Sequence, residues 1–229
     1  MKRLLYLTVL LLMVQSPCFA SIVLDFGSVE GGTHGSITGT AGSMVIDTGD
    51  LELVNVSGFS MLNGSTMVLV PFDIGLKETV FPASYSVAPQ SPVTGFQLEI
   101  YNNIDGNGAQ ELILSGDVHI DTLLTMVSSG SLGPLEAVDV TNITLHNTGM
   151  MISEWGSVPT ILAAFASLGI ADMLINLSAS GADLTQAIDF GNDVANISVT
   201  GSLSAVPEPS MMMLFAAGLL YCAQRIKRR

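Results

Sequence analysis

The sequence predicts an all-β body, mainly antiparallel, folded as a sandwich or barrel, with one short helix near residues 158–168. Three observations carry this. Apolar and polar residues alternate with period two through many short stretches. In "TGFQLEIYN", for example, Phe96, Leu98 and Ile100 fall on one face and Gln97, Glu99 and Tyr101 on the other. Gly, Ser, Asn and Asp punctuate these stretches, as tight turns require. Gly is also abundant, at 23 of 229 residues, while Lys is scarce, a balance that suits a β-rich exported protein better than a cytosolic helical one.

The elements follow in chain order. "DLELVNVSG", "STMVLVPF", "TGFQLEIYN", "QELILSGDVHID", "VDVTNITLH", "DMLINLSASG" and "NISVTGSL" read as strands. In "VDVTNITLH" the apolar phase shifts between Val140 and Ile143, which predicts a bulge. "ASYSVAPQSPVTG" reads as a loop crossing between sheets, because Pro82, Pro89 and Pro92 lie in or near it. "SVPTILAAFASLG" reads as the helix. Ser157 is its expected N-cap, Pro159 lies in its first turn, Gly169 stops it, and Ile161, Leu162, Phe165 and Leu168 share a face. About ten strands, some short, point to antiparallel pairing in a sandwich or barrel.

Charge is unevenly spread. Of 20 acids and seven bases, Glu208 and six bases lie in the end segments, which leaves 19 acids and Lys77 between residues 21 and 206. Such a body repels phosphate backbones, so nucleic acid is excluded as a partner. It also repels anionic lipid and attracts divalent cations or basic partners. Charged residues are only 12% and mean hydropathy is +0.55, so there is enough apolar surface to fold. Both cysteines, Cys18 and Cys222, sit in the ends. The body therefore has neither a disulfide framework nor a Cys-ligated metal.

The start, "MKRLLYLTVLLLMVQSPCFA", has the parts of a secretory signal: Lys2 and Arg3, an apolar stretch from Leu4 to Val14, and small residues before a cut between Ala20 and Ser21. A lipoprotein signal modified at Cys18 fits less well, because Gln15-Ser16-Pro17 precedes it. The end, "VPEPSMMMLFAAGLLYCAQRIKRR", has three parts. Pro207 and Pro209 make a stiff extended strip around Glu208. Ser210 to Ala223 carries no charge, and as a helix it would cover about 21 Å, short of a hydrocarbon core of about 30 Å. Arg225, Lys227, Arg228 and Arg229 then form a basic stop, which the positive-inside rule keeps on the cytoplasmic side. The expected organisation is a signal peptide (1–20), a β-rich extracytoplasmic domain (21–206) and a terminal segment with a single membrane helix (207–229).

Pro207-Glu208-Pro209, a short apolar run and a terminal Arg/Lys cluster together resemble the PEP-CTERM sorting signal. The resemblance covers about a tenth of the chain. It implies recognition by an exosortase, an integral-membrane, cysteine-dependent sorting enzyme of Gram-negative bacteria, after passage through the general export machinery. It implies inner-membrane anchoring before processing, then a cell-surface or extracellular place. Many such proteins are linked to exopolysaccharide and to biofilm or floc matrix.

Within the body, catalytic motifs are sparse. There is no G-x-S-x-G, H-E-x-x-H or P-loop, and the three histidines, His34, His119 and His146, stand beside no evident nucleophile. Two constellations have ligand chemistry. On a strand, Asp117, His119 and Asp121 of "SGDVHIDT" share a face and offer part of a Zn²⁺ or Mn²⁺ site; the plainer account is a solvated face over buried Val118 and Ile120. In "NNIDGNG", Asn103, Asp105 and Asn107, with Glu111 beyond, mimic half of a calcium loop; the plainer account is a hairpin turn in which Gly106 or Gly108 supplies positive φ. No cofactor is expected, and calcium at this turn is the alternative. Five N-x-[ST] triplets begin at Asn55, Asn63, Asn142, Asn176 and Asn196. The expected function is a non-catalytic surface or matrix component; the alternative is a secreted polysaccharide-binding module or enzyme, with or without dependence on Ca²⁺.

Overall fold

The computed structural model describes residues 22–205, apart from 41–42, 57, 82–83, 89–95, 121–122, 127–130 and 180–190. The strands are β1 (Ile22–Ser28), β2 (His34–Thr40), β3 (Ser43–Gly49), β4 (Leu51–Val54), β5 (Thr66–Leu69), β6 (Phe72–Phe81), β7 (Ser84–Ala88), β8 (Phe96–Asn102), β9 (Glu111–Ile120), β10 (Leu123–Met126), β11 (Ser131–Leu145), β12 (Ile170–Ala179) and β13 (Val194–Ala205). Two helices, α1 (Thr148–Trp155) and α2 (Thr160–Leu168), lie between β11 and β12.

The strands make a closed ring with a branch. Neighbours run β1-β4-β5-β8-β9-β11-β12-β13, and β13 pairs back onto β1. That is an eight-stranded barrel whose members follow chain order, so sandwich gives way to barrel. The branch β2-β3-β6-β7-β10 continues from β13. It is assembled from insertions in the ring: β2–β3 between β1 and β4, β6–β7 between β5 and β8, and β10 between β9 and β11. Antiparallel pairing makes successive ring strands alternate in direction. The three insertions therefore leave the barrel at one end, here the sheet end. The connections 55–65 and 103–110 and both helices lie at the other, the helical end. Ile22 and Ala205, the outer limits of the ring, are also at the helical end.

Closure buries one face of every ring strand, which is why alternation was so legible. β12 reads intermediate or exposed at one residue and buried at the next, with Ala171, Met173, Ile175 and Leu177 each 2% exposed or less. Ring strands from β1 (Leu24, Phe26) to β13 (Val199, Leu203) contribute side chains at or near 0%. An eight-stranded barrel is just wide enough for side chains to fill, and each fully buried Leu or Phe stabilises the fold by roughly 1.5–3 kcal/mol. Gly201 is in phase with inward-facing Val199 and Leu203, and Phe26 fills the space it leaves. A Cβ there would overlap the Phe26 ring and the Leu174 carbonyl oxygen.

Several local expectations hold. The bulge in β11 is present: register with β9 shifts between Thr141 and Thr144, and Asn142 has φ 52°. Helix α2 ends at Gly169 with φ 69° and buries Ile161, Leu162 and Phe165. Its start differs by a residue or two. Pro159, whose ring fixes φ, takes the N-cap position instead of Ser157, and Leu168 is 38% exposed. Two expectations are corrected. Ser84–Ala88 of the expected loop is strand β7, stabilised by pairing on both sides with β6 and β10. A second helix, α1, was not expected. It buries only Met151, and Asn147 at its start makes no side-chain cap, so neither periodicity nor capping announces it.

Replacing Gly201 by Ala should destabilise the barrel by about 1–3 kcal/mol, since a backbone carbonyl and a locked aromatic ring cannot both step aside. A urea melt of the variant checks this.

Candidate functional site

The outer face of β9 carries the first predicted constellation. Asp117 is half-buried, His119 is exposed, and Val118 between them is buried; Asp121 lies outside the described residues. The neighbouring strand β11 engages both side chains. The Asn142 amide donates to Asp117 Oδ2 at 2.7 Å, and His119 Nε2 lies 2.9 Å from Thr141 Oγ1. Among the described residues, no three His, Cys, Asp or Glu side chains are placed to hold a metal together.

Register brings together carboxylates that sequence reasoning missed. His119 pairs with Asp139, Asp139 with Asp172, and Asp172 with Ser204, in one row across β9, β11, β12 and β13. Asp139 and Asp172 are like charges directly opposite each other, an unfavourable cross-strand pair. Burial raises the Asp172 pKa above 3.8, and the Asp139 charge raises it further. Only a strand-pairing map could have revealed this row, because the two residues are 33 positions apart.

The "NNIDGNG" turn joins β8 to β9. Its oxygens do converge, but on the loop itself. Asn103 Oδ1 accepts from the Gly108 N–H, Asp105 Oδ1 from the Asn107 N–H, and Asn107 Oδ1 from the Ala109 N–H. Glu111 Oε2 accepts from the Ile104 N–H at 3.0 Å. Gly106 and Gly108 have φ of 70° and 92°, as the hairpin reading requires. Asp105 Oδ2 also accepts from the Asn107 side-chain amide at 2.6 Å.

One pair was not anticipated. Ser115 Oγ on β9 lies 2.8 Å from His146 Nε2, just beyond β11. Among the described residues no group hydrogen-bonds the other ring nitrogen of His146. Ser115 is opposite Glu99, whose carboxylate instead accepts from the Tyr101 hydroxyl at 2.6 Å. That bond, more than burial or the Glu99 charge, raises the Tyr101 pKa.

Four of the five N-x-[ST] asparagines have a backbone explanation. Asn55, Asn142 and Asn196 take positive φ, which Asn tolerates better than most residues. The last two sit at register shifts in β11 and β13. Asn63 Oδ1 accepts from the Val56 N–H at 2.7 Å, which closes the β4–β5 connection.

The helical end gathers apolar side chains from separate segments. Phe59, in the β4–β5 connection, meets Trp155 of α1 with ring centroids 5.4 Å apart. Met61 and Ile152, near them in sequence, are 56% and 54% exposed. The side chain of buried Asn102 ties this connection to β8 by donating to Met61 O and Ser65 Oγ.

The other predicted site residues, Ala20, Ser21, Pro207, Glu208, Pro209, Arg225, Lys227, Arg228 and Arg229, lie outside the described residues. Among the described residues no helix is long and apolar enough to cross a membrane. The PEP-CTERM protein-sorting motif matches residues 205–228. The chain thus carries a signal for exosortase-targeted export, and its first matched residue, Ala205, is the last residue of β13. No curated protein and no solved structure matches the chain.

Two outcomes are expected. For Asp172 the folded pKa is raised, so the unfolded chain gives up its proton first as pH climbs. Stability from this group is fullest below the unfolded value and is lost as pH rises through the folded one. Asp172→Asn should therefore melt higher than wild type at pH 7 and no higher at pH 3. Separately, the hairpin reading predicts the same melting temperature in EDTA as in millimolar Ca²⁺, and a calcium-dependent rise would make the Asn103–Glu111 loop a site.

Proposed function

We propose that the barrel is the cargo of the sorting signal: an exported, non-catalytic component of the cell surface or extracellular matrix, associated with exopolysaccharide. The observation that carries this reading is the junction at Ala205. The sorting motif begins where the last ring strand ends, so the whole barrel is delivered as one unit with only the strip around Pro207, Glu208 and Pro209 before the apolar segment. Further support comes from the barrel itself. Its interior is lined by buried side chains such as Leu24, Phe26, Leu98 and Val199. Its outer surface is strongly acidic, suited to divalent cations and hydrated polymers more than to anionic surfaces. The apolar segment is short for a bilayer core and suits a hold that ends when the chain is processed.

Replacing Pro207, Glu208 and Pro209 by Ala should leave unprocessed, membrane-bound precursor, read by fractionation and by the intact mass of protein in the medium. Equal release of wild type and variant would sink the sorting role of the strip.

A further inference from the structure

We infer that the helical end of the barrel rests on the headgroup layer of the bilayer while the chain is anchored, with Phe59, Met61, Ile152 and Trp155 in contact with lipid. This rests on the reading of Ser210 to Ala223 as the membrane-inserted segment.

The topology supplies the first argument. The direction of β13 puts Ala205 at the helical end, and the direction of β1 puts Ile22 there too. From Ala205 to Ser210 is five Cα steps, at most about 18 Å. The headgroup layer itself takes about 5–8 Å on each side of the hydrocarbon core. The end of the barrel from which the chain leaves therefore has little room to stand away from the lipid.

The surface chemistry supplies the second. Met61 and Ile152 are each more than half exposed, and Phe59 and Trp155 are partly so. An aromatic pair at the same end as exposed Met and Ile matches the headgroup level, where Trp concentrates because one end of the ring is apolar and the other polar. Asp105, Glu111 and Glu154 belong to the same end, so the lipid this face accepts is zwitterionic and anionic lipid weakens the contact.

Trp155 is the one tryptophan in the chain, so its fluorescence reports this end alone. The full chain would be reconstituted in phosphatidylcholine nanodiscs, with and without lipids carrying a nitroxide near the headgroup. Co-elution of chain and disc tests the anchor, and quenching of Trp155 tests the contact. Trp155 should be quenched by nitroxide lipid. Quenching should drop to less than half in Met61→Ser/Ile152→Ser, two exposed positions outside the core, and in a chain with a long Gly/Ser spacer after Val206, both still eluting with the disc. A chain that co-elutes yet shows no quenching overturns the inference and leaves the anchor standing. Undiminished quenching in the double variant overturns it as well. Failure to co-elute removes the anchor and the inference together. Quenching that appears only when exosortase is present would assign this face to the enzyme instead.

Discussion

The pairing of β13 with β1 is the contact on which the architecture depends. It joins the first and last strands of the body, and the Ser28 hydroxyl adds to it by accepting from the Val199 N–H at 2.8 Å, across 171 residues of sequence. Without it the ring would be an open sheet with two edges, each a row of unpaired backbone groups and a template for aggregation. With it the ring has no edge, one face of each member strand is sealed from water, and Phe26 can seat over Gly201. The entropic cost of so long a closure grows only slowly with its length, but such non-local pairing forms late and slowly.

Closure also fixes where things are. Strands that follow chain order around a ring must alternate in direction. All three strand insertions then fall at one pole, and both helices with the two open ends of the body fall at the other. One pole thus carries the branch of the sheet and the other carries the helices.

The strands legible in sequence were a particular subset. Each of the seven quoted stretches coincides with a strand of the ring: β4, β5, β8, β9, β11, β12 and β13. Ring strands bury one whole face, and that writes a period of two into the residues. The strands that went unquoted are β1 and all of the branch. "HGSITGT" of β2 has one large apolar residue among Gly, Ser and Thr, and β10 is four residues long. Stretches so short or so rich in Gly, Ser and Thr show no clear period of two, even where a residue such as Ile37 is buried. Helix α1 was missed for a related reason: one buried residue, Met151, gives no stripe.

The sequence by itself determined the address and the local grammar. The sorting signal, the acidic surface, the bulge at Asn142 and the glycine turn at Asp105–Gly108 are all written in neighbouring residues, because each depends on backbone preferences or charges a few positions apart. Tertiary structure alone decided barrel over sandwich, set Asp139 against Asp172 and Ser115 beside His146, and brought Phe59 to Trp155. These depend on strand register and on the meeting of β1 with β13. Period-two alternation fixes which way a side chain faces but not which strand lies alongside; that choice is made only when the ring closes.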